Sequence, residues 1–452
     1  MLDFHKLLSR APRMALAVLV TLGVSCSFDS KGLGLPRDAG PDSGAGDSGP
    51  PGDGGPGDDG GPQDAGPDAA PDAMVCPGDQ LGFTISNVEP CVVPVASTAL
   101  NFNLPGSYLV NTLSGAVAPP IGPSFLLPGS VLVQQTGSTE MVRVVSVSSF
   151  AVTAGTKVRV IGGPPLVIVS RGDVLIAGTI DASANEAEPA TPLPGGALER
   201  SACGDRDGAD GLDSTDSQGG GGGGGGGAYR GDGGDGGDGA GMNRGAKGAK
   251  GAKPSRLDLV PLRGGCPGGN GGAGNVASAS DPAIGGEAGV GGGAIQISAG
   301  NVLTVSGGIS VSGGGGGGGT VHTGGGGGGS GGGILLEARV EVRTPGILVS
   351  AGGGGSSGGG STSALGSPGG DGHDDDGIAA SGGDCGGINC AGGRGGNGGA
   401  GLLFDGSPAV EAFTNTSGGG GGGGGGVGII QLRSASVPLM GMRHPPAITG
   451  GL

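Results

Sequence analysis

One repeated pattern between residues 291 and 355 limits what this chain can fold into. It reads GGGAIQISAGNVLTVSGGISVSGGGGGGG, then a glycine tract, then GGGILLEARVEVRTPGILVSAGGGG. Apolar residues come in pairs at spacing two: Ile295/Ile297, Leu303/Val305 and Ile309/Val311 in the first copy. The matching pairs of the second copy read as Ile334/Leu336, Val340/Val342 and Ile347/Val349. Spacing two puts both members of a pair on one face of a strand. An earlier copy, residues 166–182, matches at a constant offset of 129 residues: Leu166 falls on Ile295, Val174 on Leu303 and Ile180 on Ile309. The expected fold class is therefore all-β: parallel β-helix or β-solenoid-like coils with long glycine-rich inserts, either polyglycine II-like or disordered. In that scheme Val174, Ile176, Leu303, Val305, Val340 and Val342 form one inward ladder.

Composition supports a thin, repetitive core. Of 452 residues 120 are glycine, tryptophan is absent, and only two tyrosines and eight phenylalanines occur. Aromatics carry much of an ordinary core, and average glycine use is only about 7%. The net charge of −16 argues against nucleic acid as a partner, because phosphate binding needs clustered Lys and Arg.

The N-terminus sets an address. His5, Lys6, Arg10 and Arg13 precede the apolar run MALAVLVTLGV. Eleven apolar residues are too few to cross a bilayer, which needs about 20, and the layout is that of a secretory signal peptide. The run ends at Gly23-Val24-Ser25-Cys26, a lipobox-like sequence that makes Cys26 the candidate for lipidation, although Leu22 stands one place too early for the usual pattern. Ordinary signal cleavage and secretion is the alternative. The other six cysteines, Cys76, Cys91, Cys203, Cys266, Cys385 and Cys390, are disulfide candidates in an exported protein, paired in chain order.

The organisation follows. Residues 1–26 are the signal with its lipobox-like end. Residues 27–75 are a Gly/Pro/Asp linker without hydrophobic periodicity, expected to be disordered. Residues 76–140, short apolar pieces split by proline, read as a small β-rich cap. Residues 141–452 are the glycine-rich repeat domain, whose inserts 185–290, 313–333 and 352–400 leave after the third strand of a copy.

Several motifs carry residue types capable of chemistry. Gly46-Asp47-Ser48-Gly49-Pro50 resembles a protease nucleophile sequence but lies in the linker without a histidine partner, and G-x-S-x-G matches in glycine tracts are accidents of composition. Asp205, Asp207, Asp210, Asp213 and Asp216 are the best calcium candidates, since calcium wants several oxygen ligands on one loop. Their spacing is not that of an EF-hand. The run from His373 through Asp374 and Asp375 to Asp376 is a weaker one. No catalytic residues, cofactor or firm metal site emerge.

Residues 142–432 resemble the glycine-rich, PGRS-like repeat surface lipoproteins of Gram-negative soil bacteria. The shared features are the lipoprotein signal, the linker, PLVIVSRGDVLIAGTIDAS, and glycine tracts punctuated by GGAIQIS and SGGGILLEA. The resemblance implies a surface protein of unassigned biochemistry and supplies no catalytic residues. The leading expectation is a non-enzymatic protein of the outer membrane or cell surface, held by a lipid anchor, structural or adhesive, meeting surface glycans or matrix and no nucleic acid. Two other readings stand beside it: a β-helix polysaccharide-processing or carbohydrate-binding protein, and an ice- or surface-binding polyglycine bundle. The address is directly testable. In a bacterial host the chain should label with palmitate, and Cys26→Ser should abolish labelling; unchanged labelling refutes the lipobox assignment.

Overall fold

A computed structural model describes residues 75–184, 194–197, 200–216, 218–274, 284–361, 364–372, 377–385, 391–413, 417–438 and 441–452. All belong to one compact unit, Ala70–Leu452. Cys26, Cys390 and the acidic run from His373 to Asp376 lie outside the described residues.

The repeat spacing is realised as strand register. Leu166 pairs with Ile295 and Ile168 with Ile297, Val174 with Leu303 and Ile176 with Val305, and Ile180 with Ile309, all in parallel. These side chains share one buried core with Phe150, Val152 and Val158 from the preceding strands. Leu166–Ser170 is buried along its whole length. Its second face, with Val144, Leu335 and Ile429, packs under Leu81, Ile85 and Val88 from the N-terminal segment and under Leu259 and Leu262 from a glycine-rich insert. Burial on both faces explains why this strand reads LVIVS rather than alternating.

The architecture nevertheless departs from an all-β solenoid of uniform parallel coils. It consists of an eleven-stranded and an eight-stranded sheet that mix parallel with antiparallel strands and curl as a half-barrel. Gly106–Asn111, Ala116–Ala118 and Phe125–Leu126 run antiparallel, as do Ser130–Gln134 and Met141–Val147. The cause is local: Gly115, Gly122 and Gly137 adopt φ of 75°, 102° and 70° in the three connections, left-handed values open to glycine, and the chain reverses there within a few residues. In addition, the eleven-residue strand Gly333–Arg343 pairs with both Ala294–Ala299 and Val302–Val305. It thereby fuses two rows of strands into one sheet. Helix among the described residues is limited to single turns such as Arg200–Cys203.

Two register assignments also change. Leu303 lies opposite Val342, and Ile309 lies opposite Leu348. Val340 is 46% exposed and leaves the inward ladder, while Leu348 rather than Ile347/Val349 joins the core. The second copy sits 39 residues after the first at all three strands, so nothing is inserted within it, and the partners of Leu303 and Ile309 are Val342 and Leu348 rather than Val340 and Ile347.

Most glycine lies outside the sheets, in extended segments that pack side by side. Their hydrogen bonds repeat every three residues. Gly324, Gly327 and Ser330 donate to Gly272, Gly269 and Cys266; Gly325, Gly328 and Gly331 donate to Gly420, Gly423 and Gly426; Gly326, Gly329 and Gly332 donate to Gly317, Gly314 and Val311. Carbonyls of the same run accept from Gly286, Gly289 and Gly292, from Gly224 and Gly227, and from Gly353, Ser356 and Gly359. A threefold extended helix points successive amides in three directions, so this run is enclosed on every side and its buried backbone is satisfied. A Cβ on Gly327 would collide with the carbonyl of Gly225.

Two adjacent substitutions separate facing from composition. Val305 is fully buried while Thr304 is half-exposed. Val305→Asp buries an unpaired charge and should cost at least about 4 kcal/mol; Thr304→Asp should cost less than about 1 kcal/mol. Denaturant unfolding with disulfides intact checks the pair, and equal losses refute the register.

Candidate functional surface

The outer rim of the glycine bundle is where side chains return. Enclosed segments are nearly pure glycine, as in residues 219–227 and 418–426, whereas rim segments keep glycine only where they face a neighbour. The run Gly245-Ala246-Lys247, Gly248-Ala249-Lys250, Gly251-Ala252-Lys253 is such a rim. Its glycines are buried, while its alanines and lysines are exposed. Beside it run Asp232, Asp235 and Asp238 at the same period.

The two rows lock together through the backbone. The amides of Lys247, Lys250 and Lys253 donate to Oδ1 of Asp238, Asp235 and Asp232 at 2.9, 3.0 and 2.8 Å. The ammonium groups reach one step further along, Lys247 to Asp235 at 3.4 Å and Lys250 to Asp232 at 3.2 Å. Each carboxylate thus caps a rim amide that has no glycine segment beyond it. Burial alone would push the Asp232 carboxyl up, but the Lys253 amide and the Lys250 ammonium hold it below the usual carboxylate range. Lys250 is raised in turn by its hydrogen bond to Asp232.

The five calcium candidates serve the same edge. Asp210 and Asp213 accept the amides of Asn270 and Ala273, both at 2.6 Å. Arg200 pairs with Asp210 at 2.5 Å and with Asp207 at 3.7 Å. Asp216 accepts from the Gln218 amide, and the Asp205 carbonyl accepts from Ala252. A threefold helix rises about 9 Å per three residues, so carboxylates at this spacing cannot share an ion whose ligands lie at about 2.4 Å. Among the described residues no group of three His, Cys, Asp or Glu side chains could hold a metal.

Disulfides join Cys76 to Cys91 and Cys203 to Cys266; Cys385 is also disulfide-bonded. The Cys203–Cys266 bridge ties two segments of one glycine-rich insert together.

Two buried carboxylates escaped the sequence reading as interacting groups. Asp181, 4% exposed, meets Lys157 at 2.7 Å and Arg159 at 3.0 Å. Burial raises its pKa, yet Arg159 and Lys157 outweigh this and the net shift is downward. Glu337 is fully buried where the N-terminal segment covers the sheet. It accepts from Ser86 Oγ at 2.5 Å, Ser298 Oγ at 2.9 Å and Gln296 Nε2 at 3.0 Å, with Arg433 at 3.8 Å. Desolvation is the largest influence and pushes its carboxyl up. Sequence alone does not bring these groups together, because their partners are distant along the chain.

No protein-family model matches this chain, and neither a curated protein nor a solved structure matches it.

The opposite shifts give opposite pH slopes. Asp181, depressed in the fold, adds stability above its unfolded pKa that is lost as pH falls through the folded value. Glu337, raised, adds stability at low pH that is lost as pH rises through the folded value. Asp181→Asn should cost about 2 kcal/mol at pH 7 and little at pH 3. Glu337→Gln should gain stability relative to the native chain as pH increases from 4 to 8. Unfolding midpoints across this range test both signs.

Proposed function

We propose that this chain is a non-enzymatic, lipid-anchored protein of the outer membrane or cell surface with a structural or adhesive role, akin to the glycine-rich surface lipoproteins. The signal with Cys26 and the Asp/Gly/Pro linker support the anchor and a tether. As a flexible coil, residues 37–73 would reach about 35 Å. The observation that carries the role is the bundle itself. Its interior backbone bonds to itself, so the domain is a stiff body whose variable surface is the rim. The alternating rows of Asp and Lys repeat about every 9 Å, a spacing suited to repetitive polymers such as surface glycans or matrix. The Lys247, Lys250 and Lys253 amides and the Lys247 and Lys250 ammonium groups are already engaged by aspartates, which favours many weak contacts over one deep site.

Whole cells test this reading. Cells producing the chain should stain with antibody without permeabilisation and should be retained on a glycan-coated surface. The Cys26→Ser chain should lose both properties. Release of reducing ends from acidic or neutral glycans by the purified protein would overturn the non-enzymatic role, and retention unchanged in a deletion strain would overturn the adhesive one.

A further inference from the structure

The N-terminal segment leaves an open groove of about 750 Å³ beside the antiparallel strands. Val92, Val95 and Leu126 line it at 43%, 71% and 70% exposure. Such apolar exposure needs a reason when it borders a concave site of ligand size.

Arg143 lines the same groove and is only 9% exposed. Its Nε donates to the Thr112 carbonyl at 2.8 Å and one Nη to the Leu113 carbonyl at 2.5 Å. No carboxylate among the described residues forms an ion pair with it. A guanidinium has five N–H donors, so three remain. Desolvation lowers its pKa, the sign of a cation buried without an anion. Ser130 Oγ, also lining the groove, makes no hydrogen bond among the described residues. Ser130 lies on the same face of the antiparallel pair, diagonal to Arg143, because Ser130 pairs with Val145 and Leu132 with Arg143. Gly115 opens the space between them: a Cβ there would lie 3.4 Å from Ser130 Oγ and 3.6 Å from Arg143 Nη1.

We propose that this groove binds a carboxylate carried on an apolar stem. The carboxylate accepts from Arg143 Nη1 and Ser130 Oγ, and the stem lies along Val92, Val95 and Leu126. Arginine suits a carboxylate because its planar fork matches the two oxygens. The stem replaces water on apolar surface that is otherwise wet. An acyl-chain acid and the free C-terminus of an apolar peptide share this chemistry.

The test titrates the full chain, calorimetrically, with octanoate, octanol, and an N-acetylated apolar tripeptide as free acid and as amide. Octanoate binding at least about tenfold tighter than octanol supports the proposal and an acyl source; the free-acid peptide binding tighter than both octanoate and its own amide supports it with a peptide source. A charge-assisted hydrogen bond supports a difference of this size. Ser130→Ala should weaken the acid several-fold without touching the Arg143 bonds to Thr112 and Leu113, and Val95→Asp should weaken it further by repelling the carboxylate and wetting the stem. Arg143→Gln should abolish the preference for acid over neutral probe, with circular dichroism confirming the fold. Equal binding of acids and neutral probes, absence of binding, or Ser130→Ala and Val95→Asp both without effect would overturn the proposal.

Discussion

The missing Cβ of glycine is the constraint on which this molecule depends. Where segments pack closely enough for an amide of one to meet a carbonyl of the next in three directions, any side chain would occupy the neighbour's backbone. Gly223 and Gly420 show it: a Cβ on either would overlap the carbonyl of Gly421 or of Gly237. Glycine loses the most entropy on ordering, and a lone polyglycine loop has nothing to offset that loss. Here the loss is offset collectively, because each added segment supplies a full row of hydrogen bonds to those already placed. Sequence therefore encodes position. All-glycine runs lie inside; runs with one non-glycine residue in three, such as residues 231–239, have one free side; and the Gly-Ala-Lys run is the rim.

The sheets and the bundle hold each other in place. Leu259 and Leu262, from the insert that also supplies central glycine segments, cover the outer face of the parallel strands. Asn87 donates to the Leu259 carbonyl at 2.8 Å, and Gln135 exchanges hydrogen bonds with the Leu262 amide and carbonyl at 2.8 and 3.0 Å. The insert thus satisfies its polar backbone while burying its few apolar side chains. Glu337 stands at the centre of this seam. A carboxylate there is costly unless its hydrogen bonds are complete, and Ser86, Gln296 and Ser298 supply them.

Much of this was legible in the residues. Pairs such as Leu303/Val305 identified strands, and the 129-residue spacing gave true partners because no residue is inserted within that copy. The reading failed at Val340 and Leu348, because apolar residues also occupy outward positions there, so pairing by apolar pattern alone broke the constant 39-residue offset and picked the wrong face. It failed for the overall architecture too, since the reversals at Gly115 and Gly137 depend on local backbone angles that alternation does not report. The aspartates at Asp210 and Asp213 were recognisable as a periodic set. Their role as amide caps was hidden, because their partners Asn270 and Ala273 lie sixty residues away. Arg143 shares the parity of Val145 and Val147 in VRVVSV, and only the three-dimensional structure shows that its charge is buried with them.

Amide hydrogen exchange tests the account most directly, because it reads the backbone bonds on which everything else rests. Central glycines such as Gly224, Gly327 and Gly423 should exchange as slowly as the amides of Ile297 and Leu336 in the sheet, and rim amides such as Ala246 and Ala249, which donate to no carbonyl among the described residues, should exchange orders of magnitude faster. Uniformly fast exchange through the glycine runs, with protection confined to the strands, would contradict it.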